Sequence, residues 1–324
     1  MKTCKIKGFG YAKAKRVVKN EELENVVDTS DEWIQQRTGI CERYISEDEN
    51  TSDLGVKAAL DALHKANVSK EEVDFIIVAT FTPDYMTPST ACLIQEKLGL
   101  NGKEVMAFDI NAACSGFLYA LQVAHSMLAC DQIKCALVIG AEVISKHLNW
   151  NDRNTCIIFG DGAGAVVLKQ EETSKRMLHY ACSKGDSEGI IHSYAPQPRP
   201  CFTPQELQPS YIHMDGSKTF RFALQAMYSS MQAVLEKANV SIEKIDYIIP
   251  HQANARIIQS VCRMHHVKED KVYMNISQYG NTSAASIPIA LAEMWEKGLL
   301  KEGQKLILVG FGAGFTWAST YIEL

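Results

Sequence analysis

Three short stretches of this chain carry side chains able to do covalent or acid–base chemistry. "NAACSGF", residues 111–117, sets Cys114 among small residues, between the apolar run "VMAFDI" and the uncharged "LYALQVAHSMLA". A cysteine where a buried strand gives way to a helix meets free N–H groups and the positive end of the helix dipole, and both favour the thiolate that a nucleophile needs. A dipole contribution of about 1 kcal/mol lowers a thiol pKa of about 8.5 by less than one unit, so it assists activation without completing it. The competing reading makes Cys114 a small packing residue beside Gly116. His251, in "PHQAN", closes an apolar strand at the carboxyl end, where α/β sheets gather their sites, and suits proton transfer or hydrogen-bond donation. Asn281, in "YGNTSAAS", precedes a helix, where asparagine serves as a cap or turn former as readily as a ligand contact.

Other stretches narrow the chemistry. "FGDGAGAVVL" (159–168) and "VGFGAGFTW" (309–317) are glycine-rich, but the first runs into a β-branched strand and the second lies too near the end of the chain for a dinucleotide-binding unit. Glycines there let the backbone approach a ligand, and the N–H of Ala313 facing that of Cys114 would make an oxyanion hole. "DEWIQQRTGICERY" places Trp33 and Arg37 four residues apart, and Arg153 follows in "NWNDRNT". Indole and guanidinium can stack an adenine and hold phosphates, or form a plain surface cation–π pair. His265 and His266 are adjacent and no C-x-x-C occurs, so no catalytic metal is expected.

These groups need a frame, and the frame reads as a duplication. "KANVSKEEVDFIIVAT" (65–80) and "KANVSIEKIDYIIPHQ" (237–252) are identical at nine of sixteen positions. Each copy reads as a helix end, a turn and a strand too continuously apolar to have a solvent face. Helix, strand, helix and strand follow in both halves, through "VMAFDI" and "CALVIGA" in the first, and through "KVYMNI" and "KLILVGF" in the second. The expectation is an α/β protein of two packed halves, 1–172 and 173–324. His251 appears where the first copy keeps small and apolar residues, so the duplicates diverge at the candidate chemistry. Residues 185–215 hold five of the nine prolines and no periodic pattern, and read as an irregular excursion lining a site.

The whole chain excludes several classes. A net charge of -5 over 324 residues argues against bulk nucleic-acid binding. The beginning shows no apolar secretory core, and ten cysteines without paired spacing fit reduced thiols in the cytosol. The uncharged run 110–130 reaches membrane-spanning length but carries Asn111, Gln122 and His125, and reads as a buried helix.

Taken together, "AACSGF", "DRNTCIIFGDGAGA", "PHQAN", "YGNTSAASIP" and "GFGAGFTW" resemble, in order and spacing, the motifs of β-ketoacyl-acyl-carrier-protein synthase III, a condensing enzyme of the thiolase superfamily. The resemblance implies two duplicated βαβαβαββ halves in a five-layer αβαβα sandwich. It also implies a homodimer without a cofactor, coenzyme A thioester being a substrate. Cys114 would take an acyl group from coenzyme A, and His251 and Asn281 would stabilise the enolate formed as malonyl-carrier protein loses carbon dioxide. Cys114 and Ala313 would supply the oxyanion hole. By the same resemblance Trp33, Arg37, Arg153, Gly216, Phe220 and Asn254 contact coenzyme A and its pantetheine, Thr87 and Phe311 the acyl pocket, and Arg221, Gln252 and Arg256 an acidic acyl carrier protein. Thr87 would form the pocket floor of a neighbouring subunit. Ser115 after the nucleophile, Cys41, Ala313 and the longer proline-rich stretch 196–209 depart from commoner patterns. The rival readings are a specialised polyketide or signal-molecule starter synthase, and, from another class, a cysteine thioester hydrolase.

Overall fold

A computed structural model describes residues 3–130, 133–197 and 207–324. Its first sheet joins β1 (Thr3–Lys13), β4 (Phe75–Ala79), β5 (Met106–Ile110), β6 (Cys135–Glu142) and β7 (Gly162–Glu171) in the order β1-β7-β6-β4-β5. The short β2 (Arg16–Lys19) and β3 (Glu42–Ile45) pair beside it. A second sheet joins β8 (Met177–Ser183), β11 (Tyr247–Pro250), β12 (Lys305–Gly312) and β13 (Thr316–Glu323) in the order β11-β12-β13-β8. Between them in sequence, β9 (Ile191–Ser193) and β10 (Ile212–Met214) form a two-stranded ladder.

The two sheets have one plan. β6 and β12 run parallel to β4 and β11 respectively, and antiparallel to β7 and β13, which pair in turn with β1 and β8. Every residue of β4 and β6 is buried, because helices cover both faces of the sheet. On the outside of the first sheet lies the helix Thr51–Ala66, and on the outside of the second lie Gly216–Ala238 and Ala255–Met264. Two mostly apolar helices, Gly116–Ala129 and Ser286–Glu296, fill the space between the sheets and share a single core with both. The layers are therefore αβαβα; the first repeat runs βαβαβαββ, and the second follows the same order but lacks the third strand of that series.

The repeated "KANVS" has a local cause. Thr51–Ala66 and Gly216–Ala238 end at Asn67 and Asn239, whose φ of 50° and 51° are left-handed, a conformation that asparagine tolerates and that stops a helix. In one place the copies part. "KVYMNI" was expected to be a strand matching β5, but it pairs through a single parallel bridge, Ile248 with Val272. The side chain of Gln252 takes the place of the ladder: its Nε2 donates to the carbonyls of Pro250 and Tyr273 at 2.8 and 3.2 Å, and its Oε1 accepts from the N–H groups of Asn275 and Ile276 at 3.1 and 3.2 Å.

The proline-rich excursion is more regular at its base than its sequence suggests, since β9 and β10 lie within it. Its middle, 198–206, falls outside the described residues. The run 110–130 forms the buried helix expected of it, and among the described residues no helix is long and apolar enough to cross a membrane. The described cysteines are all free thiols.

Candidate active site

The two middle helices begin alike. Each follows a single tight turn, Ala113–Ser115 before one and Ser283–Ala285 before the other. Asn111 Oδ1 accepts from the N–H of Ala113 at 3.1 Å, and Asn281 Oδ1 accepts from the N–H of Ser283 at 2.9 Å. The left-handed φ recurs as well, 46° at Ala113 and 49° at Ser283. Superposing the turns puts Ala284 at the place of Cys114 and Ser286 at that of Gly116. The two turns thus keep the asparagine and differ at the thiol, where the second holds alanine.

The first turn and Asn281, which precedes the second, wall one cavity of about 1270 Å³ with the strand ends of the second sheet. It is lined by Cys114, His251, Asn281, Phe311, Gly312 and Ala313. Gly312 is what permits this closeness: a Cβ there would stand 2.6 Å from the backbone nitrogen of Cys114. The turn that carries Cys114 is also tied to the other half, as Ser115 Oγ donates to the Thr316 carbonyl at 3.1 Å and Thr316 Oγ1 to the Ala112 carbonyl at 2.9 Å. Ala313, beside Gly312, brings its backbone to the same wall as Cys114.

Electrostatics at the thiol run against the expectation from the helix end. Burial pushes the Cys114 thiol up to about 12, opposed by the hydroxyl of Ser283. A dipole worth less than one unit opposes only part of that shift, and the residue itself is half-buried at the cavity wall. Burial drives His251 the other way, down to about 3, and the imidazole is neutral. Its Nδ1 lies 2.7 Å from Ser286 Oγ, and the same oxygen accepts from the N–H of Gln252 at 3.4 Å. The Ser286 hydroxyl has no other hydrogen-bond acceptor, and when its hydrogen points to Nδ1 the ring proton sits on Nε2, which has no protein partner. That tautomer is a hydrogen-bond donor.

The remaining residues fall into three groups. Arg37 and Arg153 stand over the indole of Trp33 at 5.6 and 5.0 Å from its centroid, and Asn254 Nδ2 donates to the Arg37 carbonyl at 3.0 Å, joining this cluster to the cavity rim. Gly216, Phe220 and Asn254 line the cavity itself. Arg221 and Arg256 are exposed near the rim, the latter 5.7 Å above the ring of Phe220. Thr87, on an exposed loop, lines the cavity of its own chain, and Phe311 packs edge-on against His251 at 5.6 Å.

One assignment fails. Gln252 is 1% exposed and all its bonds run inward, so it belongs to the backbone bracing described above and has no face for a carrier protein. Sequence reasoning also passed over Ser283 and Ser286. Aligning "NAACSG" with "NTSAAS" brings out the two serines, since Ser283 replaces Ala113 and Ser286 replaces Gly116. Among the described residues no group of three or more metal-ligating side chains lies together.

Two thiolase-like halves meeting around a cysteine, a histidine and an asparagine define a condensing-enzyme fold. Known proteins agree. A family profile described as 3-Oxoacyl-[acyl-carrier-protein (ACP)] synthase III matches residues 108–185, and the profile for its C-terminal part matches 235–324. The Beta-ketoacyl-[acyl-carrier-protein] synthase III of Clostridium perfringens (strain SM101 / Type A) is 50% identical over the full length of both chains. The crystal structure of 3-oxoacyl-[acyl-carrier-protein] synthase III from Aquifex aeolicus VF5 is 44% identical, with a TM-score of 0.92 over 99% of this chain and 100% of that one. A priming beta-ketosynthase from the R1128 polyketide biosynthetic pathway is 30% identical, with a TM-score of 0.91 over 99% and 96%. This chain belongs to the 3-oxoacyl-[acyl-carrier-protein] synthase III family.

Proposed function

We propose that this enzyme is an acyltransferase that condenses an acyl-CoA starter, acetyl-CoA or a short or branched acyl-CoA, with malonyl-acyl carrier protein. The products are 3-oxoacyl-carrier protein, coenzyme A and carbon dioxide, and the step initiates fatty acid synthesis. The observation that carries the reading is the single cavity walled by Cys114 from one half and by His251, Asn281 and Ala313 from the other. Cys114 takes the acyl group, while its own N–H and that of Ala313 hold the carbonyl oxygen as negative charge builds on it. Each such donor contributes about 3 kcal/mol. Malonyl thioester then enters, and Nε2 of neutral His251 and the amide of Asn281 donate to its oxygen as decarboxylation makes the enolate, whose carbon attacks the acyl-cysteine.

Trp33, Arg37 and Arg153 serve the nucleotide of coenzyme A, and Gly216, Phe220 and Asn254 serve its pantetheine. Arg221 and Arg256 receive the acidic carrier. A homodimer in the cytosol belongs to the same proposal. Tyr85 and Met86, 60% and 74% exposed beside Thr87, give the cavity loop the apolar surface such a contact would bury. The repeats are taken as 1–172 and 173–324.

Mass spectrometry of the intact protein after incubation with a panel of acyl-CoA thioesters tests the reading. A stable adduct on Cys114, absent from Cys114→Ala, is expected, and release of free acid without an adduct would mark a hydrolase instead. His251→Ala and Asn281→Ala are expected to load acyl groups yet fail to decarboxylate malonyl-carrier protein. Full condensation by either variant refutes its role.

A further inference from the structure

Asn281 belongs to the second half, yet its backbone is held by the first. It pairs in parallel with Phe159: the Asn281 N–H donates to the Ile158 carbonyl at 2.9 Å, and the Gly160 N–H to the Asn281 carbonyl at 3.1 Å. Its side-chain Oδ1 is taken by the N–H of Ser283 at 2.9 Å, which leaves the amide N–H groups as the donors for substrate. The placement of those donors therefore follows the segment 157–160, and that segment is fastened to β3. The Asp161 N–H donates to the Tyr44 carbonyl at 2.8 Å, and Arg43 Nη2 donates to the Ile157 carbonyl at 2.8 Å.

Arg43 is 1% exposed, its second bond runs from Nη1 to the Val18 carbonyl at 3.2 Å, and its Nε has no partner. Both bonded partners are neutral, and burial pulls the guanidinium down to about 10, so a full charge stays buried at neutral pH. A charge buried this way is costly, and an apolar side chain of the same length would fill the space. Its stem lies against the paired backbone as well. A Cβ at Gly160 would stand 3.0 Å from Arg43 Cβ and 2.3 Å from the Tyr279 carbonyl oxygen, and one at Gly280 would stand 3.4 Å from Arg43 Cβ and 2.9 Å from the Ile158 carbonyl oxygen. Glycines at both positions let the two segments close on each other beside the arginine. Arg153, on the short helix before Ile157, is tied elsewhere, donating to the Asp28 carbonyl at 2.7 Å.

We propose that Arg43 is a positioning residue for the condensing half of the reaction: by holding the Ile157 carbonyl it fixes the segment against which Asn281 pairs, and so aims the Asn281 amide at the malonyl thioester oxygen. Arg43 does not itself line the cavity. Cys114 stands on a different turn, braced by Ser115 and Thr316, so acyl loading does not pass through this contact. Misplacing a group by about 1 Å costs about 100-fold in rate, and the surviving bond at Asp161 limits the shift, so a loss of about 10- to 100-fold is expected. The proposal rests on the reading of Asn281 as the donor to the enolate.

One set of variants separates the two. Wild type, Arg43→Met, Asn281→Ala and the double variant are compared for acetyl loading from saturating acetyl-CoA by intact mass, and for carbon dioxide release from malonyl-acyl carrier protein, with a thermal melt of each. Arg43→Met is expected to load within about threefold of wild type, and to lose about 10- to 100-fold in kcat for decarboxylation with KM unchanged. In the Asn281→Ala background, where a slow residual rate is left to His251, Arg43→Met is expected to cost less than about twofold. Arg43→Lys, which keeps the charge and can reach one carbonyl, is expected to recover part of the rate, and it decides in the same way should Arg43→Met not fold. An Asn281→Ala variant that decarboxylates at the wild-type rate overturns the reading of Asn281. A slow Asn281→Ala, with Arg43→Met slowing loading and decarboxylation alike, slowing neither, or adding its full cost to Asn281→Ala, overturns the positioning role.

Discussion

The closest contact in the active site is also the most testable. A Cβ at residue 312 would lie 2.6 Å from the Cys114 nitrogen, 3.1 Å from Ala113 Cβ and 3.2 Å from the Ser115 nitrogen. Ordinary contact begins near 3.4 Å, so Gly312→Ala forces the turn that carries Cys114 back by about 0.8 Å. None of the three atoms is the end of a flexible side chain, and the turn is pinned from behind by Ser115 and Thr316. Overpacking of this kind costs about 1–3 kcal/mol of stability. The kinetic effect is larger: misplacing a reacting group by about 1 Å costs about 100-fold, and losing one oxyanion donor about 100- to 1000-fold. Acetyl loading of Gly312→Ala, timed by intact mass, should therefore fall at least about 100-fold while the protein remains folded. Gly102→Ala, where nothing lies within 4 Å, is the control for the same chemical change. A folded Gly312→Ala that loads within about threefold of wild type would refute the claim that this glycine sets the meeting of the halves.

Two further outcomes concern stability. Gln252→Ala leaves the buried N–H groups of Asn275 and Ile276 without their acceptor, at about 1–3 kcal/mol each. Denaturant unfolding should show a loss of about 2–6 kcal/mol, and a fully stable variant defective only in carrier-protein binding would contradict the bracing role. His125 Nδ1 and His179 Nε2 are 3.0 Å apart, linking a first-half helix to β8, and burial, then the proximity of His125, holds His179 down to about 3. The unfolded chain binds that proton first as pH falls, so this stability is complete above about 6.5 and is lost between about 6.5 and 3, amounting to about 3 kcal/mol at pH 4. His179→Asn should flatten the acid limb of the melting-temperature profile, and parallel limbs would remove the pair from the account.

Much of this protein was legible one residue at a time. Apolar continuity in "DFIIVAT" and "CALVIGA" requires strands covered on both faces, and two copies of "KANVS" reveal a duplication because asparagine stops a helix the same way twice. His251 stood out because its counterpart position in the first copy holds alanine. What the sequence could not decide was every quantity set by neighbours distant along the chain. Whether Cys114 is a thiol or a thiolate depends on desolvation by the opposing half, which outweighs the local dipole that sequence can see. Gln252 was assigned to the carrier surface by resemblance alone, yet its amide completes a strand edge that only the folded second sheet exposes. His251 and Ser286 stand 35 positions apart and meet only in the folded second half, since burial and through-space contact are properties of the packed chain and not of local order.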